Sequence, residues 1–100
     1  MSEFPPPQET PFNAKEIYKQ LGETIDEDNE RLRDVPRDVN IEALQKQALD
    51  ATDALTRERG IDSIEKFIAA AKFKVTSRSM SKGAYNMIMK QLRQMYPSVE

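Results

Sequence analysis

No cysteine, histidine or tryptophan occurs in the 100 residues, and glycine appears only three times. Without cysteine there is no disulfide, no thiol nucleophile and no zinc-thiolate site. Without histidine the chain lacks the side chain that titrates near neutral pH and the commonest metal ligand. Gly22, Gly60 and Gly83 stand far apart, so no glycine-rich phosphate-binding loop forms. No apolar run approaches the ~20 residues that span a bilayer, and no basic start followed by an apolar stretch marks a signal peptide. These absences remove most catalytic templates. They lead to the expectation of a soluble, cytoplasmic, non-enzymatic protein with no cofactor and no membrane attachment.

What remains is a chain with 38% hydrophobic and 32% charged residues. Domains cluster near 100–150 residues, so there is room for one core only. Residues 1–12 hold four of the six prolines, and each proline also turns the residue before it away from the helical region. This predicts a flexible, Pro-rich arm over 1–12 and a single helical domain over 13–100. Phe4 and Phe12 would let the arm fold back on the body.

Asn13 is a favoured N-cap, and Glu16 stands three residues on, where it can return to the cap's own N–H. Ala14, Ile17, Tyr18, Leu21, Ile25 and Leu32 then recur at three- and four-residue steps, predicting a first helix to about Arg33 with an acidic outer face. Pro36, with Asp34, Asp38 and Asn40 around it, predicts a loop. Ile41, Leu44, Ala48, Ala51 and Leu55 give a second helix over 39–58, closed by Gly60 in a left-handed conformation. Asp62 and Glu65 form the next capping pair, followed by a third stripe of Ile64, Phe67, Ile68, Ala71 and Val75. Ser79 or Ser81 caps a fourth helix that turns Ala84, Tyr85, Ile88, Leu92 and Met95 inward and stops at Pro97. No segment has the two-residue alternation of a half-buried strand. The segments 41–46 and 61–66 resemble each other over six positions, then diverge, and read as two similar helix starts.

Charge is unevenly placed. Through Gly60, fourteen acidic residues outweigh eight basic ones, whereas from Ile61 onward seven basic residues outweigh three acidic ones. No carboxylate lies between Lys66 and Val99. Such a one-signed surface concentrates anionic partners around it. Within it, residues 72–83 combine Lys72, Lys74, Arg78 and Lys82 with hydroxyls and the N–H groups of a helix start, a set able to face phosphate or carboxylate. Two helices joined by a turn with bases on the second resemble a helix-turn-helix in outline. The turn lacks the customary glycine, and the sequence pI of about 5.3 is far below that of a dedicated nucleic-acid domain.

Other patterns carry less. Asp26, Asp28 and Glu30 imitate the start of a calcium loop, but Arg31 and Arg37 stand where glycine and a bidentate glutamate are required. Ser79 and Lys82 have the spacing of a lysine-activated serine, without the accompanying motifs or a cleft. Met80, Met87, Met89 and Met95 crowd into the last quarter of the chain with Tyr85 and Tyr96. Methionine suits an adaptable contact surface, and Met87 and Met89 both fall off the Ile88–Leu92 stripe, so one of them is expected to be exposed.

The sequence therefore predicts an all-α, small three- to four-helix bundle with an extended Pro-rich N-terminal arm. Its expected function is that of a small regulatory or interaction protein binding a protein partner, or another copy of itself. Lys72, Lys74, Arg78, Lys82, Lys90 and Arg93 would steer the partner, and Tyr85, Met89 and Tyr96 would anchor it. The alternative is nucleic-acid binding by the same Lys72–Arg93 surface. No metal site and no small-molecule substrate is evident.

Overall fold

The computed structural model describes residues 12–35 and 39–99, and over these the chain is all-helical, with four helices and no strand. They are α1 (Ala14–Arg31), α2 (Val39–Thr56), α3 (Ile64–Thr76) and α4 (Lys82–Met95). Residues 1–11 of the expected arm and Pro36–Asp38 of the expected loop lie outside the described residues.

Local chemistry explains most helix ends. The Asn13 Oδ1 accepts from the N–H groups of Lys15 and Glu16 at 3.0 and 3.4 Å, occupying donors that an α-helix leaves without partners. The reciprocal arm of the expected box is not made by Glu16. Its carboxylate accepts from Gln20 at 2.9 Å, and the Asn13 N–H instead donates to the Tyr96 hydroxyl at 3.4 Å. The start of α1 is thereby tied to the end of α4.

α1 stops two residues before the expected end, with Leu32 as its C-cap, and Leu32 is exposed instead of continuing the inward stripe. α2 also ends two residues early, and its last turn tightens through bonds from Arg57 to Ala54 and Glu58 to Leu55 before Gly60 turns at φ +86°. The cap of α3 is Ser63, whose Oγ accepts from the Lys66 N–H at 3.2 Å. Asp62, expected in that role, bonds the Lys66 ammonium at 2.9 Å, which holds its carboxyl below the usual aspartate range.

α1, α2 and α4 pack on one another, and α3 packs on α2 and α4. Ile17 and Leu21 from α1, Leu55 from α2, Phe67 from α3 and Ile88 and Leu92 from α4 are fully buried. Burying each such side chain is worth about 1.5–3 kcal/mol. Phe12 closes one side, meeting Phe67 edge-on with ring centroids 6.1 Å apart. Close approach of α2 to α4 is set by Gly83: a Cβ there would stand 3.0 Å from a methyl of Leu44. No described helix is long and apolar enough to cross a membrane.

Candidate interaction surface

The connection between α3 and α4 is where the basic residues gather, and its geometry follows from a few backbone bonds. Ser79 N–H donates to the Lys74 carbonyl at 2.8 Å, and Arg78 N–H donates to the Val75 carbonyl at 3.0 Å. This is the paired closure of a helix C-terminus whose pivot residue is left-handed, and glycine normally fills that position. Here Arg78 fills it, at φ +66°. The turn therefore has no need of the glycine whose absence stood out in the sequence. It places an exposed guanidinium at its apex at a conformational cost of about 1–2 kcal/mol.

Two further features hold the turn. Met80 is buried beneath it. Ser81 caps α4, its Oγ accepting from the Ala84 N–H at 3.2 Å. The Gln47 Oε1 on α2 takes both donors of Ser81, the backbone N–H at 3.0 Å and the hydroxyl at 2.6 Å. The Ser79 hydroxyl shares a hydrogen bond with Ser77 at 3.1 Å, not with the Lys82 amine, so the serine–lysine spacing does not form a nucleophile–base pair here.

Lys72, Lys74, Arg78 and Lys82 flank this turn, whereas Lys90 and Arg93 lie two to three turns further along α4, Lys90 beside α1. Lys72, Arg78, Lys82, Lys90 and Arg93 are exposed. Lys74 is half-buried and lines, with Lys46, Gln47, Asp50 and Ser79, a shallow recess of about 470 Å³ against α2. On α4 the four- and three-residue steps from Lys82 to Asn86, Lys90 and Arg93 place all four exposed side chains on one stripe. Among the described residues the ion pairs are Arg31–Asp28, Arg33–Glu30, Arg57–Asp53 and Lys66–Asp62, so none of the six basic site residues is neutralised by a partner.

The expected anchors are placed differently. Tyr85 is half-buried, but Met89 is 4% exposed and Tyr96 is fully buried, both within the core cluster. Neither can meet a partner without unpacking the bundle. Of the two methionines off the stripe, Met87 is half-buried and Met89 buried, so neither is freely exposed. The reason is that α4 contacts three helices and is covered over more of its circumference than one stripe describes.

The residue missed from sequence is Phe73, 70% exposed between Lys72 and Lys74. It lies opposite the buried Phe67–Ala71 side of α3, a position that its spacing from those residues already implied. Among the described residues Phe73 is the most exposed aromatic side chain, and it stands between Lys72 and Lys74 in sequence.

The acidic face of α1 adjoins α4, Asp28 sharing a groove with Asn86 and Lys90. Asp26, Glu27 and Glu30 are exposed on α1, and no group of three or more metal-ligating side chains occurs among the described residues. Comparison with known proteins gives no match to a family model, to a curated protein or to a solved structure.

Proposed function

We propose that the protein is a non-enzymatic interaction module that binds an acidic protein segment through the α3–α4 surface. Lys72, Lys74, Arg78, Lys82, Lys90 and Arg93 steer the partner, and Phe73 enters an apolar site on it. The observation that supports this most is the exposed phenyl ring of Phe73 within a stretch that has no carboxylate between Lys66 and Val99, and in which Lys72, Arg78, Lys82, Lys90 and Arg93 have no ion pair among the described residues. Desolvated aromatic anchors dominate binding energy, while rim charges set association rate and discrimination. The exposed anchor therefore replaces Met89 and Tyr96 in this reading.

Nucleic acid is the second reading, favoured by the stripe of Lys82, Asn86, Lys90 and Arg93 on one exposed helix face. It is disfavoured by the neighbourhood of that stripe. Asp28 on α1 lines the same groove as Asn86 and Lys90, and Asp26, Glu27 and Glu30 lie along the same helix. A phosphate backbone following α4 would run beside these carboxylates, whereas a short acidic segment can stay on the basic side.

Titration with mixed-sequence DNA, mixed-sequence RNA and polyglutamate at two salt concentrations separates the readings. The protein reading expects binding to polyglutamate with weak or no binding to the nucleic acids. Micromolar nucleic-acid binding whose logarithm falls steeply with the logarithm of salt supports the second reading and contradicts the first.

A further inference from the structure

Residues of α1, α2 and α4 line a groove of about 490 Å³ beside Lys90, within the range of small-molecule sites. Its floor carries Leu21 and Ile25 from α1 and Met87 from α4. Gln91 lines the same groove and is only 4% exposed, the one buried polar residue of α4. Thr24 donates its hydroxyl proton to the Gln91 Oε1 at 2.8 Å, which fixes the carboxamide and leaves its NH₂ group turned away from α1's hydroxyl. That NH₂ has no acceptor among the described residues, yet no fully buried side-chain polar atom lacks a partner. It is therefore not fully enclosed, and Gln91 is among the residues that line the groove.

The mouth carries charges of both signs, Asp28 against Arg31 and Lys90, with a net of one positive charge. Asp28 is held by Arg31 at 2.9 Å, while Lys90 has no ion pair among the described residues. A deeply set amide donor, an uncompensated ammonium and an apolar floor lined by a flexible thioether suit a ligand with an anionic acceptor at one end and a hydrocarbon body.

We propose that this groove binds a small amphipathic carboxylate, with its oxygens on the Gln91 NH₂ and the Lys90 ammonium and its apolar body over Leu21, Ile25 and Met87. The site shares Lys90 with the α3–α4 surface, whereas Gln91 and Thr24 belong to the groove alone. Occupancy would bridge α1 and α4 and withdraw Lys90 from the basic stripe, linking the ligand to partner binding in the unfavourable direction.

The test is ¹H–¹⁵N spectroscopy of the full chain titrated with octanoate, with acetate and 1-octanol as controls for the head and the body alone. Saturable shifts of the Gln91 side-chain NH₂ and of Thr24 and Met87 are expected with octanoate, and much weaker ones with either control. Gln91→Leu, which replaces the carboxamide with an apolar side chain of similar size, should weaken octanoate about tenfold or more. Lys90→Gln, on an exposed position where folding is not at stake, should also weaken it. Lys74→Glu with Arg78→Glu should leave it unchanged, which separates this site from the basic turn. Absence of saturable shifts, equal affinity for 1-octanol, or octanoate affinity unaltered by Lys90→Gln overturns the proposal.

Discussion

The Gln47 carboxamide oxygen on α2 accepts both hydrogen bonds that Ser81 donates, at 3.0 and 2.6 Å, and Ser81 in turn caps α4. One side chain thus fixes the start of α4, and with it the orientation of Lys82 and the turn bearing Arg78. Gln47→Ala should lower stability by about 1–2 kcal/mol, and Ser81→Ala by a similar amount through loss of the cap. Because the two share partners, the double variant should cost less than the sum, with a coupling of about 0.5–3 kcal/mol in a denaturant double-mutant cycle.

Arg78 sits at φ +66°, where a side chain is strained and glycine is not. Arg78→Gly should raise stability by about 1 kcal/mol, a rise in Tm of about 4–8 °C for a domain of this size. The same change removes an exposed charge from the apex of the turn and should weaken acidic partners. Greater stability with poorer binding, measured on one variant by calorimetry and titration, is the expected signature of a residue retained for its surface role.

Two glycines inside helices should respond differently to alanine. At Gly22 a Cβ would meet only a Leu49 methyl at an ordinary 3.8 Å, so Gly22→Ala should stabilise by about 0.5–1 kcal/mol. At Gly83 the Cβ would crowd Leu44 at 3.0 Å, so Gly83→Ala should fall short of that gain or lose stability. Adding Leu44→Val should restore the difference, as read from urea midpoints.

Burial separates the expected anchors from the observed one. Met89→Ala should cost about 2–5 kcal/mol of stability as a core truncation. Tyr96→Phe should cost about 1 kcal/mol by removing the acceptor of the Asn13 N–H. Phe73→Ala, at an exposed position, should stay within about 0.5 kcal/mol of the parent in stability while weakening partner binding.

Helix starts governed by short-range chemistry were largely legible in the sequence: Asn13 caps α1 as its residue type implies, and of the two serines offered for α4 it is Ser81 that caps. Asp62 and Ser63 are adjacent cap formers, and only the backbone decides that Ser63 caps while Asp62 holds Lys66. Leu32 continued the apolar period beyond the point where the helix stops, so periodicity alone overextended α1. The exposure of Lys72, Arg78, Lys82, Lys90 and Arg93 follows from their charge, whereas the half-burial of Lys74 against α2 depends on packing that no local pattern announces. Met89, Tyr96 and Gln91 were not legible either, since their burial depends on α4 meeting three other helices. Thr24 and Gln91 are 67 residues apart, and no local pattern announces their bond.

Recognition of an acidic segment by the α3–α4 surface is best tested by selection of peptides from a random displayed library, run in parallel on the parent chain and on a Lys74→Glu, Arg78→Glu, Lys82→Glu variant. The parent should enrich Asp- and Glu-rich peptides with an apolar residue, and these should lose affinity for the variant and for Phe73→Ala. Enrichment of peptides without acidic character, or of acidic peptides that bind both altered chains as tightly as the parent, would contradict that recognition.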